Sequence, residues 1–223
     1  MGAGEIHDDR TAGASELARR AVALLAGTAR SASGMGRVRD EQARLAGLRP
    51  SMAAIEGALA IYVAELEELA ASGRPWEAAA REARAAALER LDAARSGVVR
   101  HAVAVLGRAS PERVVTISCS STVRAVLEAR PVEALLVSEG RPGLEGRAIA
   151  EGFASGACRV ELCTDGALPG LLAGGDLVLV GADAVEADGH LVNKVGTFAL
   201  ALAARRLGVP FHAACEGFKF SSR

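Results

Sequence analysis

Asp183, Asn193 and Lys194 have the residue types and spacing of a site for chemistry. Leu177, Val178, Leu179 and Val180 form a short unbroken apolar run, as in a strand buried on both faces. Gly181 ends that run, so Asp183 sits just past the strand's carboxyl end. Asp188-Gly189 is a turn signal. Asn193-Lys194-Val195-Gly196-Thr197 then opens an alanine-rich helix predicted over 198–207. A helix start offers unpaired backbone N–H groups and a positive dipole end, and Lys194 adds an ammonium. That combination suits a phosphate. An acid ten residues before such an anion cradle points to chemistry on a phosphorylated molecule.

The scarcity of lysine marks the same place. Of 26 basic residues, 24 are Arg and two are Lys, namely Lys194 and Lys219. A bias toward Arg and Ala reflects coding composition. Unless their retention is chance, the two lysines mark positions where a compact ammonium is needed.

These residues need elements to hold them, and the hydrophobic period changes along the chain. Residues 1–109 read as a helical domain, with amphipathic helices over 15–29, 37–48, 52–71 and from Pro75 to about Gly107. Two helix entrances stand out within it. Arg10-Thr11-Ala12-Gly13-Ala14-Ser15 is built of small residues, where a ligand can approach the backbone closely. Arg49-Pro50-Ser51-Met52 places a guanidinium at a second start. Taken alone, each is more often a simple N-cap than a binding loop.

Residues 110–223 alternate between strand-like runs at 114–118, 134–138, 159–163, 177–180 and 209–213 and helices at 121–129, 145–155, 168–173 and 198–207. That alternation predicts right-handed βαβ units and a parallel, Rossmann-like α/β sheet domain. Such sheets bind ligands beyond the carboxyl ends of their strands. Waiting there are Ser118-Cys119-Ser120-Ser121, Glu139-Gly140-Arg141-Pro142, Asp165, Gly181-Ala182-Asp183 and Glu216 to Lys219. His190 lies in a turn before Asn193, and His212 reads as a core histidine inside a strand.

Several function classes are disfavoured. No strand is followed by GxGxxG and no GxxxxGK[ST] is present, so the dinucleotide and P-loop fingerprints are missing. The residues lack metal-ligand spacing, so no metal and no cofactor are expected. The net charge of −1, with acids and bases interspersed, argues against a nucleic-acid surface. No apolar run is long enough for a membrane span, and the polar N-terminus is unlike a secretory signal. Cys119, Cys158, Cys163 and Cys215 form no CxxC pair and read as buried thiols of a cytoplasmic protein.

The pattern GAD…G…NKVGT…LA…VPF…KF, preceded by SCSSTV and EGRPGLEG, resembles the initiation factor 2B alpha/beta/delta superfamily. That group includes ribose-1,5-bisphosphate isomerase and methylthioribose-1-phosphate isomerase. The resemblance covers residues 114–220 and is fainter in the helical part, where RPSMAAIEGAL matches an RP[ST]-type entrance. It implies a helical domain over a Rossmann-like domain, with a phosphorylated sugar between them. Asp183 falls on the catalytic aspartate of the isomerases. Asn193, Lys194 and Lys219 fall on phosphate contacts, Ser120 and Ser121 on the serines after the first strand, and Arg49 on the RP arginine. Gly13 and Ala14 fall in the entrance loop, and Arg141 joins the candidates at the second strand end.

Three departures accompany the match. Aligned without gaps, the isomerases' cysteine falls on Ser118, and Cys119 comes one residue late. Their RGAG entrance becomes Ala12-Gly13-Ala14-Ser15, losing an arginine unless Arg10 replaces it. The sequence stops at Arg223, where relatives usually continue with strands that help form a dimer, so the homo-oligomer expected of the family is in question.

Two functions follow. The first is an aldose–ketose isomerase acting on a pentose 1-phosphate, in which Asp183 and either Cys119 or Ser118 exchange protons with the sugar. Cys119, near a helix start, is expected as a reactive thiolate swung toward the ligand. The second is a non-catalytic sugar-phosphate-binding or regulatory protein, like the translation-factor branch.

Overall fold

The computed structural model describes residues 3–9, 12–32 and 34–221. Arg10 and Thr11 of the first helix entrance lie outside them. The helices are α1 (Ala3–Asp8), α2 (Ala14–Ser31), α3 (Met35–Ala46), α4 (Ala53–Ala71), α5 (Trp76–Ala109), α6 (Ser121–Ala129), α7 (Gly146–Ala154) and α8 (Thr197–Leu207). The strands are β1 (Arg113–Ile117), β2 (Ala134–Ser138), β3 (Arg159–Cys163), β4 (Asp176–Val180), β5 (Ala184–Val185), β6 (Leu191–Val192) and β7 (Phe211–Ala213). A helical N-terminal region is therefore followed by a parallel five-stranded sheet, the expected α/β class.

Two compact units divide the chain. One comprises Met1–Arg95, Asp183–Val192 and Glu216–Arg223; the other comprises Ser96–Ala182 and Asn193–Cys215. In the first unit α2 packs against α4, where the apolar periodicity of both helices converges on Leu17, Leu25, Ile55, Leu59, Tyr62 and Leu66, all fully buried. Each such large side chain contributes roughly 1.5–3 kcal/mol by leaving water. Alanines at 18, 21 and 58 line the same core and let the helix axes approach. Burial pushes the Tyr62 phenol up to about 12. The antiparallel pair β5–β6 and a 3-10 turn at Gly217–Lys219 complete this unit. A Cβ on Gly57 would lie 2.0 Å from the Phe218 carbonyl oxygen, so that glycine lets the turn sit directly on α4.

The sheet of the second unit has the order β3-β2-β1-β4-β7 with every pairing parallel. Val114, Leu135, Val137, Leu177 and Leu179 form one face and pack with Val123, Val126, Leu127 and Ile149 of α6 and α7. At the amino end, Arg113 Nε and Nη2 lie 3.0 and 2.9 Å from the two Asp176 oxygens, joining β1 to β4.

The structure corrects some local expectations. Residues 168–171, with Pro169 at the start, form a 3-10 turn in place of a full helix. β1 ends at Ile117, because Ser118 has φ +61. β3 is an edge strand whose residues are mostly exposed. His212 lies in β7 but is only half-buried, and lines a groove of about 270 Å³ with His101, Leu177 and Cys215. All four cysteines are reduced and half-buried. Among the described residues, no helix is long and apolar enough to cross a membrane.

Candidate functional site

Strand order locates the site within the sheet unit. From β1 the chain adds β2 and β3 on one side, then returns to place β4 and β7 on the other. The direction reverses between β1 and β4, and a ligand crevice opens beyond the carboxyl ends of strands at such a switch point. Ser118 to Ser121 follow β1 there, and Gly181-Ala182 follow β4. A Cβ on Gly181 would lie 2.5 Å from Ser120 Oγ, so only a glycine permits this approach. The start of α8 closes on the same strand end, since a Cβ on Gly196 would lie 2.8 Å from Ile117 Cδ1. Gly196 has φ +103, a left-handed conformation that glycine adopts readily.

The candidates after β1 are already engaged in structure. Ser120 is the N-cap of α6, with Oγ accepting from Val123 N–H at 3.3 Å. Ser121 is the first residue of that helix. Ser118 holds a left-handed backbone despite its side chain, which costs on the order of 1–3 kcal/mol. That kink ends the strand alternation, and Cys119 packs against the apolar cluster of the sheet. The expected thiolate is corrected: burial pushes the Cys119 thiol up and Glu145 adds to this, against a downward pull from Arg124.

The segment after β2 is rigidly built. Asp165 accepts from Gly140 N–H at 2.9 Å and Arg141 N–H at 2.7 Å. Burial pushes its carboxyl up, but these backbone donors and the Lys194 charge outweigh that and hold it below the ordinary range. Arg141 is exposed, with Nε 3.2 Å from Glu139. The segment ends in Glu145, whose two oxygens each lie 2.9 Å from Lys194 Nζ. The phosphate cradle read from the sequence therefore contains a carboxylate. Glu145 was missed because its partner is distant in sequence; the signal was a second acid in EGRPGLEG. Beside Lys194, Asn193 Nδ2 donates to Thr197 Oγ1 at 3.0 Å, and Thr197 Oγ1 donates to the Lys194 carbonyl at 2.7 Å.

In the helical unit, Gly13 is the N-cap of α2 and Ala14 its first residue, with no side chain capping the start. Arg49 spends donors on the chain itself, Nε reaching the Ile6 carbonyl at 3.3 Å and Nη2 the Asp9 carbonyl. Lys219 is buried and paired with the equally buried Glu216 at 2.8 Å. Asp183 N–H donates to the Val192 carbonyl at 2.9 Å, so the β5–β6 hairpin keeps the aspartate close to the residue preceding Asn193. His190 is exposed on the hairpin turn, 2.7 Å from Asp188. Glu186 joins that pair with all three ligand atoms within 4.8 Å, an acidic turn of the kind common without an ion.

A family model described as the initiation factor 2 subunit family matches residues 6–223. The chain belongs to that family. Its sequence is 38% identical over 170 residues to a probable bifunctional methylthioribose-1-phosphate isomerase/methylthioribulose-1-phosphate dehydratase of Nocardia farcinica, covering 74% of this chain and 29% of that protein. It is 37% identical over 89 residues to ribose 1,5-bisphosphate isomerase of Archaeoglobus fulgidus, covering 40% of this chain and 28% of the relative. The chain thus spans less than a third of the length of either relative. Its fold matches the Pyrococcus horikoshii OT3 translation initiation factor eIF-2B with a TM-score of 0.83 and 23% identity, covering 98% of this chain and 78% of that one. Relatives by sequence thus carry both kinds of name, ribose 1,5-bisphosphate isomerase and, at 33% identity over 118 residues, a putative translation initiation factor eIF-2B subunit 2-like protein of Pyrococcus furiosus.

Proposed function

We propose that this chain binds a phosphorylated pentose at the carboxyl edge of its sheet and converts the aldose into the ketose. The observation that carries the reading is the convergence beyond the carboxyl ends of β1 and β4, where the close approaches at Gly181 and Gly196 bring the segment after β1 and the lysine-bearing start of α8 together. Asn193 and Lys194 contact the phosphate, and Arg141 is a further contact. In a sugar 1-phosphate the anomeric oxygen is blocked, so the ring opens when its oxygen receives a proton. The hydrogen on C2 then moves to C1, and the C2 hydroxyl loses its proton as it becomes the ketone. One group must give a proton and another must take one. Cys119, whose thiol burial pushes up, is the donor, and Asp183 is the acceptor.

One observation favours a second reading, a sugar-phosphate-binding protein without turnover. Cys119 packs against apolar side chains, and in the gapless register of the family resemblance the isomerases' cysteine falls on Ser118. Incubation with ribose 1,5-bisphosphate and with methylthioribose 1-phosphate, followed by detection of ketose, separates the two readings. The isomerase reading expects ketose from one of them. Binding of either sugar with no ketose formed leaves the binding protein.

A further inference from the structure

The anion position offered by Lys194 already holds an anion supplied by the chain. The Glu145 carboxylate is bidentate on the ammonium, with side-chain exposures of 15% for Glu145 and 20% for Lys194, so solvent screens this pair less than a surface contact. The carboxylate also sits in a slot. A Cβ on Gly143 would lie 2.6 Å from its Oε1, and one on Gly140 3.0 Å from its Oε2. We propose that Glu145 is a tethered occupant of the anion subsite at Lys194, which a phosphate group enters only by turning the Glu145 side chain out. The inference rests on the phosphate-binding reading above.

The main chain at Glu145 is fixed. Gly146 N–H donates to the Glu139 carbonyl at 2.9 Å, and a Cβ on Gly146 would lie 1.8 Å from the Ser138 carbonyl oxygen, so α7 begins hard against β2. Leu144 N–H donates to the Gly140 carbonyl at 2.9 Å, and Asp165 anchors the start of the segment. Exchange is therefore a rotation of one side chain. A tethered carboxylate has little freedom left to lose, so a free carboxylate gains nothing by replacing it. A phosphate monoester carries a charge of about −1.5 to −2 and three acceptor oxygens, and it outcompetes a single negative charge. Glu145 thus selects phosphate over singly charged anions while lowering its apparent affinity.

Calorimetry on the full chain with inorganic phosphate and ribose 1,5-bisphosphate tests this, with thermal melting as the check on folding. Glu145→Gln should bind ribose 1,5-bisphosphate about tenfold more tightly than the wild type, and Lys194→Ala at least about tenfold more weakly. Glu145→Asp keeps the charge but shortens its reach, and should bind more tightly by a smaller factor; it decides the matter if Glu145→Gln fails to fold. If both Glu145 variants bind no better than the wild type while Lys194→Ala binds worse, the tethered occupant is overturned and the phosphate site stands. If neither probe binds the wild type or any variant, the phosphate reading falls and takes this inference with it.

Discussion

Gly181 and Ser120 meet so closely that a methyl group on the glycine would lie 2.5 Å from the serine Oγ and 2.7 Å from its Cβ. The carboxyl ends of β1 and β4 are joined at that contact, and the same Oγ caps α6. Gly181→Ala must push Ser120 aside and weaken the cap, so it should destabilise by about 1–3 kcal/mol. Gly27, exposed in the C-terminal part of α2, has nothing within 4 Å of an added Cβ. Gly27→Ala should instead stabilise by about 0.5–1 kcal/mol through helix propensity alone. Urea denaturation of both variants measures the contrast, and equal effects would remove steric contact as the cause.

Period and punctuation made much of this architecture legible. β2 and β3 fall on their sequence-derived bounds because an unbroken apolar run in the first and an alternating polar–apolar run in the second sit between turn residues. α1 escaped notice because six residues give less than two turns of pattern. The two-residue strands β5 and β6 escaped for the same reason, although the turn joining them, with Gly189 at φ +88, was visible. Side-chain partnership was the real blind spot. Lys194 and Glu145 are 49 residues apart, and no local pattern announces that pair. Lys219 and Glu216 stand at i, i+3, yet sequence alone does not tell a buried pair from a solvated one.

Lys219→Met should destabilise strongly, by about 3 kcal/mol, because it leaves the Glu216 carboxylate, 1% exposed, without its ammonium. Thermal melting read beside ligand titration separates this effect from a binding role. A variant that melts like the wild type would show that the ion pair contributes little to folding.

Asp165→Asn should cost about 1.5 kcal/mol at neutral pH, since a carboxylate accepting two backbone N–H groups becomes an amide with one acceptor. The folded-state pKa of Asp165 lies below its ordinary value of 3.8. Its contribution is therefore fully present above that value and is lost as pH falls through the lower folded value. The stabilities of wild type and variant should converge in acid below about pH 4, measured by urea denaturation across pH. Parallel curves down to pH 2 would exclude this linkage.

Cys119 should alkylate slowly at pH 7.5. Burial raises its pKa, so its thiolate fraction is smaller than that of an ordinary exposed thiol. Its rate with iodoacetamide, followed by peptide mass spectrometry, should still be climbing at pH 9. Rapid labelling at neutral pH would restore the thiolate and remove Cys119 as a proton donor.

Asp183 carries the sharpest test of catalysis. The β5–β6 hairpin fixes its backbone through the N–H bond to Val192, so replacing the carboxylate with an amide leaves the main chain in place. Asp183→Asn keeps the shape of the side chain but cannot take a proton from the sugar hydroxyl at neutral pH. Removal of one general base typically slows a reaction by about 10²–10⁴-fold. The variant should therefore bind ribose 1,5-bisphosphate within about threefold of the wild-type affinity while ketose formation falls by at least about a hundredfold. Cys119→Ser, with a hydroxyl less acidic than a thiol, should show the same split. If ketose forms at the wild-type rate in Asp183→Asn, proton exchange lies elsewhere at the sheet edge. If affinity falls in step with turnover, Asp183 holds the sugar rather than reacting with it.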